Sequence, residues 1–285
     1  MTTGFRNVAD YARAWEAGRV SSCSLRKVPP DASTAGRWVD LSRAAGNPKP
    51  NYYASSPLVA ATLDGIDGVY HGGNRSPAST HLADLCLMTP TAGLVGQYKL
   101  LDYLLYYPFV DLDDLDVQTM NNSVALPRYE DGDGVMAMVV CSNNTIGGGS
   151  FTFDYINQDG DARTSPTQFC DTASSSPSSL VTSAPGTAAG TGPFLRLASG
   201  DTGIRSVTSW TNIISNGGLA SLVLVNPLAD HTIREINTAS EITLVQQRAG
   251  APRIYDGAYL NFIMKCAATV AAGQLAGRAS FVWSE

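Results

Sequence analysis

Residues 171–192 read Asp171-Thr-Ala-Ser-Ser-Ser-Pro-Ser-Ser-Leu180-Val181-Thr-Ser-Ala-Pro-Gly-Thr-Ala-Ala-Gly-Thr-Gly192. Apart from Asp171, Leu180 and Val181, every position is Ser, Thr, Ala, Gly or Pro. Such a stretch offers little to bury and carries no charge after Asp171, so a packed core is expected to exclude most of it. Segments of this length without regular structure are usually linkers or functional loops. Strand-like sequence lies on both sides. The chain therefore reads as mainly β, two β-sandwich or jelly-roll-like halves with a short N-terminal helix and a long Ser/Ala/Gly/Pro-rich linker. The boundaries are 1–170, 171–193 for the extended arm, and 194–285.

After the arm, Phe194–Ala198, Ile204–Trp210, Ala220–Val225, Glu241–Gln246, Tyr259–Met264 and Ala279–Trp283 have strand composition. Gly200-Asp201, Asn216-Gly217-Gly218 and Asp256-Gly257 mark turns between them. So many strands in so short a span predict a β-sandwich or jelly roll.

Before the arm, Phe5, Val8, Ala12 and Trp15 recur at helical spacing and Gly18 follows as a stop, predicting a short amphipathic helix. Ser24–Val28 and Arg37–Leu41 are extended, and Gly46 to Asn51 is a Pro- and Asn-rich loop. Ser76-Pro77 reads as an N-cap with proline at the first helical position, and Leu82, Leu85 and Cys86 as the stripe of a second helix. Tyr98 to Val110 suits a central strand or strand pair that Pro108 closes. Leu126–Tyr129 and Gly134–Cys141 read as strands around a turn. Ser150–Ile156 alternates into the hairpin signal Asn157-Gln158-Asp159-Gly160.

Composition narrows the partners. Charged residues are 15% of the chain, against ~25% in typical domains, so its surface is poorly defended against association. A net charge of −6, with no basic cluster beyond Arg26-Lys27, argues against nucleic acid. The apolar runs near Leu100 and Phe262 are broken by Asp102 and Lys265, short of the ~20 residues of a membrane helix. Met1 to Asn7 carries no hydrophobic signal region, so synthesis and retention in a cytoplasm are expected. Cys23, Cys86, Cys141, Cys170 and Cys266 show no C-x-x-C spacing and read as buried small hydrophobes, with an inter-chain bridge as the alternative. No cofactor, metal or small-molecule ligand is expected.

Candidate chemistry is sparse. Asp111, Asp113, Asp114 and Asp116 could form an acid/base pair or hold a hard cation, but they lack the central glycine of an EF-hand and read better as an acidic loop. Glu130 to Asp133 and Asp159-Gly160-Asp161 read as turns. His71, His81 and His231 have no nucleophile elbow to serve and are expected in surface or capping roles. Gly147-Gly148-Gly149 and Gly217-Gly218 lack the Lys-Ser/Thr of a phosphate loop. Tyr52-Tyr53 is the best candidate for glycan stacking or protein contact, whereas Tyr106-Tyr107 reads as core or interface.

Several passages carry a resemblance. Trp38-Val-Asp-Leu-Ser42 leads into Gly46-Asn-Pro-Lys-Pro-Asn-Tyr-Tyr53, and Leu101-Asp-Tyr-Leu-Leu-Tyr-Tyr-Pro-Phe-Val-Asp111 precedes Leu126-Pro-Arg-Tyr129. Gly200-Asp-Thr-Gly-Ile-Arg-Ser206 and Ile254-Tyr-Asp-Gly-Ala-Tyr-Leu260 follow. In this order they resemble a group of tailed-bacteriophage virion structural proteins. The resemblance implies a non-enzymatic virion component assembled in the bacterial cytoplasm, a capsid decoration or cement protein. Its expected partners are the major capsid protein and further copies of itself in a homotrimer. Phe5, Trp15, Tyr52, Tyr53 and the arm are the expected contacts. The alternatives are a tail, collar or baseplate protein that binds host glycans, and a β-sandwich hydrolase using the Asp111–Asp116 cluster.

Overall fold

Alternating and continuous apolar runs separated by Gly, Asn and Asp turns fold into antiparallel ladders throughout. The computed structural model describes residues 5, 7–29, 35–182, 192–243, 251–269 and 273–285. A helix, α1 (Val8–Glu16), is followed by β1 (Val20–Val28), β2 (Trp38–Asp40), β3 (Ala45–Asn47), β4 (Ala61–Thr62), β5 (Thr80–Met88) and β6 (Gly96–Asp111). Next come β7 (Gln118–Thr119), β8 (Met136–Cys141), β9 (Ser150–Asn157), β10 (Ala162–Thr164) and β11 (Gln168–Phe169). The chain continues with β12 (Ile204–Ile214), β13 (Leu219–Ile233), β14 (Ser240–Thr243), β15 (Arg253–Ile254), β16 (Tyr259–Cys266) and β17 (Leu275–Trp283).

These strands make three sheets. The central one runs β2-β16-β6-β13-β8, with β4 also on β6. A second runs β14-β5-β17-β1-β3, with β15 on β5, and a third runs β10-β9-β12-β7, with β11 on β9. The long strands β6 and β13 explain the layout. At ~3.3 Å per residue each spans about 50 Å, more than twice a usual strand, so the central sheet has room for two partners. Near one end, Tyr98 and Leu100 of β6 with Leu228 and Ile233 of β13 share a core with Leu82, Leu85 and Leu87 of β5 and Phe281 of β17. Toward the other end, Leu105, Tyr107, Leu222 and Leu224 pack on Phe151, Phe153, Val207 and Trp210 of the third sheet. There the Phe151 and Trp210 rings stack at 3.8 Å. Two sandwiches thus share one sheet.

The mainly-β fold with a short N-terminal helix is what the structure shows. The sheets, however, do not divide at 171–193, because each combines strands from before and after the arm. The described part of the arm is not an exposed linker either. Asp171, Ser175, Ser178, Ser179, Leu180 and Val181 are buried. On one side Ser178 N–H donates to the Cys141 carbonyl (2.9 Å) and Val181 N–H to Val139 (2.9 Å), along β8. On the other, Leu180 N–H donates to Trp38 (2.9 Å) and Asp40 N–H donates to Ser178 (2.8 Å), along β2. Since β2 and β8 are the outer strands of the central sheet, residues 178–181 join its two edges through isolated bridges, without forming a closed barrel. Small side chains are what allow so close an approach. Gly147, at φ +95°, would place a Cβ 2.6 Å from the Thr172 carbonyl oxygen. Residues 183–191 of the expected linker lie outside the described residues.

Further expectations are corrected. Residues 80–88 form β5, not a helix. Between Ser280/Asp84 and Phe281/Leu82 the pairing with β17 shifts by one residue, leaving Ala83 as the extra residue of a β-bulge. The bulge puts Leu82 and Leu85 on one face at a spacing of three, which imitates a helix. Pro108 does not close β6: it lies at a register shift against β13, next to Phe109 at φ +59°, and the strand runs on to Asp111. Leu126–Tyr129 and Phe194–Ala198 are irregular, and residues 244–246 of the strand expected at 241–246 lie outside the described residues.

Candidate functional site

Helix α1 forms as its sequence predicts. Asn7 caps it by accepting from Asp10 N–H (3.0 Å), and Gly18 follows at φ +68°. Its buried face differs from the expected stripe: Ala14 is fully buried against Ala83 and Val282, while Val8, Ala12 and Trp15 face outward. Phe5 is half-buried, 5.8 Å from the Tyr11 ring and 5.3 Å from His81, and Tyr11 links it to Trp15 at 6.1 Å. Trp15, 41% exposed, is the accessible member of this row.

The two adjacent tyrosines have opposite fates. Tyr52 is 60% exposed, with the Arg43 guanidinium 5.8 Å from its ring centre. Tyr53 is buried, which removes it from the contact candidates. Its hydroxyl donates to Asp40 Oδ2 (2.5 Å), where Ser42 Oγ also donates (2.6 Å), and Tyr103 donates to Asp40 Oδ1 (2.6 Å). Burial and the Asp40 charge push both phenols well above the usual tyrosine range. The cluster is structural: it ties the loop after β3 to the central sheet.

The acidic loop follows β6. Asp111 Oδ1 accepts from Asp113 N–H and Asp114 Oδ1 from Asp116 N–H, each at 2.9 Å, so two of these carboxylates close turns. Among the described residues no cluster of His, Cys, Asp or Glu is arranged to hold a metal. The histidines depart from their expected surface roles. His71 and His231 are buried in the fold, and His81 lies half-buried in β5 with Nδ1 3.0 Å from the Ala251 carbonyl oxygen. Burial lowers the basicity of all three, His231 to about 4. No disulfide forms among the described cysteines, of which three are buried and two half-buried.

Two features absent from the sequence reading stand out. The first is a crown of aliphatic side chains at one end of the third sheet: Leu115, Val117, Ile146, Ile213 and Ile214, each more than half exposed. Hydrogen bonds hold its three segments together. Asn212 Nδ2 donates to the carbonyls of Asp111 (2.8 Å) and Asp114 (2.6 Å), and Ile146 N–H donates to Asn216 (2.9 Å). Next to this end Ile214 pairs with Ser150, which also pairs with the part-exposed Phe169. In sequence these aliphatics are indistinguishable from core residues. The available signal was their place at strand ends and in the acidic loop.

The second is a cleft of about 840 Å³ whose lining includes Ser76, Arg128, Tyr129, Asp131, Arg253 and Tyr255. Its floor is a buried pair. Arg128 Nε and Nη2 donate to the two Asp102 oxygens (2.9 and 2.7 Å), and Nη1 donates to the Gly257 carbonyl (3.0 Å). Burial raises the Asp102 carboxyl and Arg128 opposes the rise. Above it, Tyr129, held at φ +53°, meets Tyr255 edge-on at 4.8 Å, and the Arg253 guanidinium lies 4.5 Å over the Tyr255 ring.

No helix among the described residues is long and apolar enough to cross a membrane. No family model matches the chain, and no curated protein matches it. Among solved structures the chain is similar to a mutant VP2 protein of infectious bursal disease virus in derived T=1 particles, at 9% identity over 93% of this chain and 78% of that one. The TM-score is 0.14, below what a shared fold requires, so no role follows from the likeness.

Proposed function

We propose that this chain is a non-enzymatic structural component of a tailed-phage virion, a capsid decoration or cement protein that acts as a homotrimer bridging capsid subunits. The observation that carries the assembly role is the aliphatic crown. Five large aliphatic side chains more than half exposed at one end of a sheet form the kind of patch that soluble monomers rarely leave uncovered. Low overall charge and the phage-like passages in the sequence support the same reading. The mechanism is mechanical: apolar surface buried against neighbours couples them, at roughly 25 cal/mol per Å² before the costs of association. Immunogold labelling of purified particles from the virus that encodes the chain tests it. Label over the head is the expected result, and label absent from particles while the protein is abundant in the lysate overturns it.

The cleft over Arg128 favours a second reading, a tail, collar or baseplate protein that recognises host glycans. Fixed carboxylates and an arginine beside two tyrosine rings suit a hydroxyl-rich ligand, and the volume is that of a small-molecule site. Glycan-array binding lost on Tyr255→Ala, with label confined to the tail, would select this reading.

A further inference from the structure

The crown also has a charge pattern, which says what can cover it. Its three segments, 111–118, 142–149 and 210–218, contain Asp111, Asp113, Asp114 and Asp116 and no Lys, Arg or Glu. Asp113, Asp114 and Asp116 are exposed, and they interleave with Leu115 and Val117. An aliphatic centre is thus bordered on one side by carboxylates, with no cation in the same segments to neutralise them.

We infer that this face docks a different protein chain, one presenting an aliphatic patch bordered by Lys or Arg. Apolar burial would supply the adhesion, and the carboxylates would select the partner and its orientation. A second copy offers no Lys or Arg in these segments to meet the carboxylates, which disfavours pairing of this face with itself. The inference deepens the assembly role proposed above and rests on it. It also gives the Asp111–Asp116 loop a part in recognition rather than in catalysis.

The probe is a short fluorescein-labelled amphipathic peptide of leucine and lysine, titrated with the whole protein beside a leucine and glutamate counterpart. The expected result is binding of the lysine peptide alone, weakened about tenfold by the pair Ile213→Ser/Ile214→Ser. Asp113→Asn/Asp114→Asn/Asp116→Asn, which keeps the turn-closing oxygens, should weaken it severalfold and flatten its salt dependence. Should the isoleucine pair unfold the protein, by circular dichroism, Leu115→Ser/Val117→Ser takes its place. Equal binding of both peptides, or binding indifferent to these variants, overturns the inference. So does concentration-dependent self-association, in sedimentation equilibrium, that Ile213→Ser abolishes. Particle labelling reads the wider role separately: labelled heads with no peptide binding remove only this inference, and unlabelled particles with peptide binding remove only the phage role.

Discussion

Arg37 and Asp171 form an ion pair, Nε to Oδ2 at 3.1 Å, with side chains 2% and 1% exposed. Arg37 also donates to the carbonyls of Ser174 (2.7 Å) and Ala173 (3.1 Å), so one guanidinium holds the start of the arm beside β2. Removing one partner of a buried pair leaves the other charge uncompensated. Arg37→Met or Asp171→Leu should therefore cost about 3–5 kcal/mol in urea unfolding. The double substitution should cost less than the sum, because neither charge is then left alone. Additive losses would show that the pair does not couple the arm to the sheet.

Tyr52 and Tyr53 make a sharper comparison, since neighbours in sequence are expected to respond differently. Tyr53→Phe removes a hydrogen bond to a buried carboxylate and should cost about 1.5–3 kcal/mol. Tyr52→Ala takes away an exposed ring and should stay within about 0.5 kcal/mol. Thermal melts of the two variants check this, and equal losses would contradict the burial difference.

Much of the fold was legible in the sequence. Phe151, Phe153 and Tyr155 alternate with Thr152 and Asp154, and β9 buries that set; the hairpin at Asn157–Gly160 pairs β9 with β10 as its turn residues demand. What misled was local. A bulge at Ala83 converted a strand period into a helical one, and which of two adjacent loop tyrosines turns inward cannot be read from a pair of identical residues. The arm's destination was not legible either. Ser and Thr are polar by type, yet a segment that hydrogen-bonds on both sides can be buried with its backbone satisfied. The crown escaped notice because a sequence shows that Ile213 and Ile214 are apolar but not that nothing in their own sheet covers them.

Lys27 offers a test on pH. It is fully buried, and its ammonium donates to the carbonyls of Pro48 (2.7 Å) and Ala44 (3.1 Å). Burial lowers its pKa to about 8, with the Asp40 charge acting the other way. The unfolded chain, with lysine near ~10.4, binds this proton more tightly than the folded one. Stability from this group therefore rises with pH between about 8 and 10, by up to about 3 kcal/mol. Urea unfolding at pH 7, 8, 9 and 10 should show wild type gaining on Lys27→Met across that window. A constant difference would mean that the ammonium is not desolvated.

The floor of the cleft gives the opposite sign. Arg128 opposes the effect of burial on the Asp102 carboxyl, so Arg128→Met leaves burial unopposed and raises that pKa further above its unfolded value. A carboxyl with a raised folded pKa stabilises at low pH and loses that contribution as pH rises through the folded value. The deficit of Arg128→Met against wild type should accordingly be smaller at pH 5 than at pH 8, where about 3–5 kcal/mol is expected for an unpaired buried carboxylate. Arg128→Lys keeps the charge but not the two parallel bonds, and should fall between the two. Asp102→Asn in the Arg128→Met background should abolish the pH dependence, because no carboxyl then titrates. Denaturant midpoints at the two pH values decide the matter, and a deficit equal at pH 5 and pH 8 would show that Asp102 stays ionised without its arginine.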